Sequence, residues 1–215
     1  MKLVVLGGGG FIGSCIHQML IHRQMNGIFI SRSFCEGYNW RGANIITKQS
    51  EINSMNNIYS AIEGKIDILY MANTPSLASY ELTTTLRWTE GIERMVRSID
   101  ELSQLSNAKI KSVGLISSAG TVYGSSEDEK TIESRLQPKS FYGLYHCLAE
   151  QTLQFWCKRK GIDCKIMRVT NPYGRTQIGS KRKGLIVSLL KTIQNGNCLE
   201  LRGNGQQVRD YIYAD

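Results

Sequence analysis

No stretch of this 215-residue chain approaches the ~20 consecutive apolar residues needed to cross a bilayer. Met1-Lys2-Leu3 leads straight into a strand-like segment without signal-peptide anatomy, so the expectation is a cytoplasmic protein that makes no use of a membrane. The six cysteines (Cys15, Cys35, Cys147, Cys157, Cys164, Cys198) include no CxxC pair and have no histidine at metal-ligand spacing. They read as reduced, mostly buried thiols, and no metal site is expected. The chain also lacks internal repeats and low-complexity segments. With 41% hydrophobic and 20% charged residues it has the composition of an ordinary globular protein, long enough to bury a substantial core. A net charge of +8 raises the question of a polyanionic partner. The basic clusters, Lys181-Arg182-Lys183 and Lys158-Arg159-Lys160, read as solvated surface, and no nucleic-acid partner is expected.

What the chain does have is alternation. Lys2–Leu6 (KLVVL) is a short β-branched run that ends in four glycines, and Phe11–Leu20 then takes up helical spacing. Further strands are expected at Ile28–Ile30, Ala43–Thr47, Ile66–Ala72, Ser112–Ile116 and Asp163–Val169, with a crossover helix over residues 54–63. Leu86, Ile92, Met95, Val96, Ile99 and Leu102 fall near 3.6-residue spacing and predict a long helix over Leu82–Leu105. Another helix should run from Phe141 to about Lys160, with Gly161 placed as a C-cap. Strands alternating with helices over 170 residues imply an α/β fold, a Rossmann-type doubly wound parallel sheet with helices on both faces.

The turn Gly7-Gly-Gly-Gly-Phe-Ile-Gly13 sits where chemistry would need it, after the first strand and at the start of the first helix. Glycine permits the tight turn and lets backbone N–H groups approach a diphosphate, whose charge a helix N-terminus favours. This GxxGxxG pattern resembles the short-chain dehydrogenase/reductase superfamily. Later landmarks are similar to its extended branch of NAD(P)-dependent nucleotide-sugar epimerases and dehydratases, UDP-sugar 4-epimerases in particular. They are the end of SSAGTVYG (117–124), YGLYH with Glu150, RVTNPYG (168–174) and GNGQQVRDYIYAD (203–215), in the family's order. The resemblance implies a dinucleotide held against Gly7, Gly10, Phe11, Ile12, Gly13, Ser31, Arg32, Ala72, Tyr142 and His146. Relatives specific for NAD place an acid after the second strand. Here the sequence reads Ile30-Ser31-Arg32-Ser33 with no acid before Glu36, so NADP is favoured over NAD. Stacking of Arg32 on adenine is the alternative.

The same resemblance implies a catalytic tyrosine four residues before a lysine. Tyr142 holds the tyrosine position, but His146 replaces the lysine. An imidazole with a reference pKa of ~6.5 is mostly neutral at pH 7, unlike an ammonium near ~10.4. The family's serine or threonine falls on Ala119, which leaves Ser118 and Thr121 as the nearby hydroxyls. LRWTEG before Gly91 lacks the asparagine often found in relatives. Two readings stand. In one, Tyr142 is the acid/base and His146 orients it or the ribose, active in its protonated form; in the other, both are remnants on a helix that serves packing and cofactor contact.

On the substrate side, Asn171 in NPYG and Arg209 in GQQVRDYIYAD match positions that the family uses for a nucleotide-sugar diphosphate. The alternatives are a local turn for the first and an ion pair with Asp210 or another acid for the second. The expected organisation is an NAD(P)-binding domain over 1–174 and a partial substrate-binding subdomain over 175–215. That second part should hold a helix around Gly184–Gln194 and a strand at Cys198–Arg202, with relatives continuing for about another hundred residues. The resemblance further implies a homodimer through a four-helix bundle formed by the 82–105 and 141–160 helices. The expected function is transient hydride transfer on a UDP-sugar, with impaired catalysis. A non-catalytic NAD(P) sensor or partner subunit is the alternative.

Overall fold

The computed structural model describes residues 2–31, 34, 38–40, 44–47, 59–72, 82–124, 129–177, 184–198 and 204–214. In chain order these form β1 (Lys2–Leu6), α1 (Phe11–His22), β2 (Gly27–Ser31), β3 (Asn44–Thr47), β4 (Glu63–Tyr70), α2 (Leu82–Leu105), β5 (Asn107–Ser118), α3 (Ala119–Val122), α4 (Phe141–Lys160), β6 (Asp163–Val169) and β7 (Asn171–Tyr173). A 3₁₀ turn (Arg175–Gln177), α5 (Leu185–Gln194) and β8 (Tyr211–Tyr213) follow.

Six strands make one sheet in the order β3-β2-β1-β4-β5-β6, and every neighbouring pair is parallel. Parallel strands need crossovers, and the resulting cover on both faces explains the apolar strand sequences. Val4 and Val5 are both fully buried but belong to different clusters, because successive side chains point to opposite faces. On one face Val4, Ile28, Ile66, Ile68 and Val113 pack with Met95, Ile99 and Leu102 of α2 and Ala149, Leu153 and Cys157 of α4. On the other, Val5, Phe29 and Leu69 pack with Leu20 of α1. Each fully buried aliphatic side chain contributes about 1.5–3 kcal/mol. The chain turns to β2 and β3 on one side of β1 and to β4, β5 and β6 on the other. This reversal opens a crevice at the carboxyl edge, the place where ligands bind in such sheets.

The helix that matters most, α4, is fixed at both ends. Ser140 Oγ accepts a hydrogen bond from the Gly143 N–H at 3.1 Å, an N-cap. Gly161, at φ +67°, takes the left-handed conformation that closes the last turn. Lys158, Arg159 and Lys160 lie in that last turn, where cations are favoured by the helix dipole. Lys160 Nζ also pairs with Asp100 of α2 at 3.0 Å.

Several expectations need adjusting. β4 begins three residues before Ile66 and ends at Tyr70, so Met71 and Ala72 are free to form part of the carboxyl-edge rim. β5 starts at Asn107, and its exposed first half is held by pairing Glu63–Lys65 with Asn107–Lys109. Glu63 therefore belongs to a strand; residues 54–58 of the expected crossover helix lie outside the described residues, and Tyr59–Ser60 is helical. Ala43, Lys181-Arg182-Lys183 and residues 199–202 of the expected Cys198–Arg202 strand also lie outside them. Cys147 and Cys157 are buried, but Cys15 and Cys164 are only half-buried and Cys198 is exposed; Cys35 lies outside the described residues. Asn171–Tyr173 pairs in parallel with Tyr211–Tyr213 in a separate two-stranded sheet. Among the described residues no helix is long and apolar enough to cross a membrane, and no cluster of three or more His, Cys, Asp or Glu could hold a metal.

Candidate active site

The glycine turn is built by close packing on one side and openness on the other. Gly7 has φ +83°, and a Cβ there would lie 2.3 Å from Ala72 Cα, so the turn seats directly against the end of β4. Its N–H donates to Ile30 O at 2.7 Å, which ties it to β2. A Cβ on Gly13 would lie 1.8 Å from Gly8 O, so the first turn of α1 presses on the loop before it. Gly10 is the opposite case. It is exposed, caps α1 with no side-chain hydrogen bond, and a Cβ there would meet nothing within 4 Å. No acid stands in the first turn of α1. The positive end of the helix, with Phe11 and Ile12 half-buried beside it, is thus uncapped by side chains and open to an anion. Ser31, half-buried, ends β2 at the same edge; Arg32 lies outside the described residues.

Across the crevice, α4 rises beside β5 and β6. Tyr142 and His146 share one helical face, as their spacing requires, with ring centroids 4.6 Å apart in an edge-on arrangement. Tyr142 is half-buried and His146 only 4% exposed. Both imidazole nitrogens are buried without a hydrogen-bond partner. Burial pushes the His146 pKa down to about 4, and the nearby Glu150 carboxylate opposes this only in part. Burial therefore favours the neutral imidazole at physiological pH. Thr121, in α3, approaches the start of α4: a Cβ on Gly143 would lie 2.4 Å from Thr121 O. The Thr121 hydroxyl is buried and unpartnered, whereas Ser118, half-buried, ends β5 and serves as N-cap of α3.

Near this pair lies a polar network whose contacts the sequence did not announce, although Glu150 and Arg168 both lie in the landmark segments. Glu150, 1% exposed, accepts from the Ser117 hydroxyl and from the Arg168 guanidinium, with Nη2 to Oε2 at 2.8 Å and Nε to Oε1 at 3.1 Å. Arg168 Nη1 also donates to the Tyr123 hydroxyl at 2.7 Å. These bonds pin α4 to the carboxyl ends of β5 and β6. Another missed residue is Gln177, 9% exposed, whose buried Oε1 has no partner. A polar residue in a turn carries no sequence signal of burial, so Gln177 could not be read in advance, and the Glu150–Arg168 pairing joins residues 18 positions apart in sequence.

Asn171 and Arg209 are brought close by the β7–β8 pair. Asn171 donates from its side-chain amide to Asp210 O at 2.8 Å, and both residues are exposed. The Arg209 guanidinium donates to Val208 O at 2.7 Å, and among the described residues it makes no ion pair with Asp210 or another acid.

An all-parallel sheet in this order, with an open glycine turn at the head of α1, defines a Rossmann-type dinucleotide-binding protein, and the residues present suit an NAD(P) cofactor. The chain belongs to the NAD dependent epimerase/dehydratase family, whose profile matches residues 3–215. It is 25% identical over 219 residues to the dTDP-4-dehydro-6-deoxyglucose reductase of Escherichia coli, covering 98% of this chain and 68% of that relative. In fold it is similar to the UDP-glucuronic acid 4-epimerase of Bacillus cereus, solved with UDP-glucuronic acid and NAD. There the TM-score is 0.78 at 19% identity, covering 100% of this chain and 69% of that one. It also resembles the UDP-glucose 4-epimerase of Thermotoga maritima, solved with UDP-glucose, at a TM-score of 0.73 and 23% identity over 100% of this chain and 70% of that one. The chain thus spans about two thirds of the length of these relatives.

Proposed function

We propose that this chain binds NAD(P) at the glycine turn and acts on a nucleotide sugar, a UDP-sugar by preference, through reversible oxidation of a sugar hydroxyl. The observation that carries the proposal is a pair of unmet needs at one edge of the sheet. The helix start at Gly10 is open to an anion, and the buried His146 has two nitrogens without partners. A dinucleotide offers a diphosphate for the first and ribose hydroxyls for the second. NADP is favoured over NAD, because Ser31-Arg32 supplies hydroxyl and guanidinium where a carboxylate would select NAD.

Bound NAD(P) would supply a reversible hydride acceptor for the sugar carbon, held by the glycine turn and by Tyr142 and His146. Tyr142 is the group that takes and gives the hydroxyl proton. Neutral His146 positions the nicotinamide ribose by a hydrogen bond but gives the tyrosine no cationic support, so turnover is slower than a lysine would allow. Thr121, with its unpartnered hydroxyl, is a better auxiliary donor to the substrate oxygen than Ser118, and Ala119 contributes none. Asn171 and Arg209 hold the nucleotide-sugar diphosphate, Arg209 through an exposed guanidinium that pairs with no carboxylate among the described residues.

Homodimerisation through α2 and α4 belongs to the same proposal. Phe141, Leu144, Leu148 and Phe155 form an exposed apolar stripe at near-helical spacing along α4. A partner helix on that stripe would complete a four-helix bundle, and a cytoplasmic location follows from the substrate class.

The test is to denature the purified protein, identify any dinucleotide released, and then titrate NADP and NAD with and without UDP-sugars. Conversion of a UDP-sugar supports the proposal. Binding of neither dinucleotide would end it.

A further inference from the structure

We propose that the side-chain amide of Gln177 pairs with the carboxamide of the nicotinamide ring, which makes it a specificity-determining residue of the dinucleotide site. This rests on the NAD(P) reading above and deepens it. Gln177 is nine-tenths buried, yet its Oε1 has no hydrogen-bond partner, and a buried acceptor left unmet is costly enough to call for a reason.

Its place in the fold supplies one. The turn Arg175–Gln177 follows β6 and β7 and packs against α1. Helices of a parallel sheet run opposite to the strands, so α1 begins at the carboxyl edge, where β6 ends. The turn therefore starts six residues past the carboxyl end of β6 (Val169 to Arg175) and also touches the helix whose start is open to a diphosphate. The reactive half of a dinucleotide must cross between those two points.

The chemistry narrows the partner further. A diphosphate has no donor and cannot satisfy Oε1. A primary carboxamide carries both a donor and an acceptor, so it meets the Gln177 amide in either of its two orientations. The side chain is also held in advance. Gln177 N–H donates to Gly174 O at 3.1 Å, and a Cβ on Gly184, the N-cap of α5, would lie 3.1 Å from Nε2. Arg175 Nε reaches the Tyr213 hydroxyl at 3.3 Å and ties the turn to β8.

The experiment uses the full chain, freed of any co-purifying dinucleotide, and Gln177→Met, which keeps the side chain's length but not its amide. Dissociation constants are measured by calorimetry for NADH or NADPH, whichever binds tighter, and for the matching ADP-ribose, which lacks the nicotinamide. The expected result is about tenfold weaker binding of the reduced dinucleotide with the ADP-ribose constant unchanged within about twofold. Wild-type protein should also discriminate against nicotinic acid adenine dinucleotide, whose carboxylate replaces the carboxamide, and Gln177→Met should lose that discrimination. Equal affinity of the two proteins for the reduced dinucleotide, or a parallel loss for ADP-ribose, overturns the proposal. Wild-type protein that binds neither ligand overturns the dinucleotide reading and this proposal with it.

Discussion

Glu150 and Arg168, 18 residues apart in sequence, meet as a forked ion pair between α4 and β6, with the carboxylate 1% exposed and the guanidinium side chain 19% exposed. Truncating one partner of such a pair strands the other. Arg168→Ala should therefore destabilise the fold by about 3–5 kcal/mol, more than its partial exposure alone suggests, because Glu150 remains buried. Urea unfolding measures this. A loss below about 1 kcal/mol would mean that the pair is only decoration.

Gly10 and Gly13 of the glycine turn should respond in opposite ways. Gly13→Ala forces a Cβ into the Gly8 carbonyl, and a loss of more than about 3 kcal/mol is expected. Gly10→Ala meets no protein atom, so the fold should lose about 1 kcal/mol or less while NAD(P) affinity falls at least tenfold. Thermal melts paired with dinucleotide titration separate the two effects.

Acid should act through His146. Folding lowers its pKa from 6.5 to about 4, so the unfolded chain binds the extra proton between those values. This part of the stability is intact above pH 6.5 and is lost as the pH falls toward 4, by about 3 kcal/mol in all. His146→Leu should flatten that slope in urea midpoints compared between about pH 7 and pH 4.5. An unchanged slope would place the acid sensitivity elsewhere.

Restoring a cation at the same position tests the chemistry. His146→Lys should raise UDP-sugar turnover at least tenfold, since an ammonium beside Tyr142 lowers the cost of moving its proton. A sensitive hydride-transfer assay that registered no change would count against Tyr142 as the acid/base.

The apolar stripe on α4 makes a statement about assembly. Phe155, 68% exposed, and Leu148, 42% exposed, should lie inside a dimer interface. In analytical ultracentrifugation the wild type is expected to sediment as a dimer and the Phe155→Glu, Leu148→Glu double variant as a monomer. A wild type that is already monomeric at micromolar concentration excludes the bundle.

The parts of this molecule that were legible in its sequence are those set by local rules. The glycine turn could be read because φ +83° and a 1.8 Å approach admit no side chain, and α2 because one stripe of it is buried at 3.6-residue spacing. Gly161 announced the end of α4 for the same conformational reason. Illegible parts depend on partners distant in sequence. Glu63-Gly64-Lys65 is polar and exposed, and it becomes strand only because Asn107–Lys109 lies alongside it. Likewise, the spacing that put Tyr142 and His146 on one face could not say that the imidazole would be sealed from water, which is what sets its charge. Gln177 is the clearest case, a turn residue by composition that the fold buries where its turn meets α1 and Gly184.

The crevice above β1 follows from the order of the strands, not from any side chain that lines it. Substitutions such as histidine for lysine can erode turnover while the berth for a nucleotide persists, because removing it would mean rethreading the sheet. In a lineage built on this scaffold, occupancy should outlast chemistry.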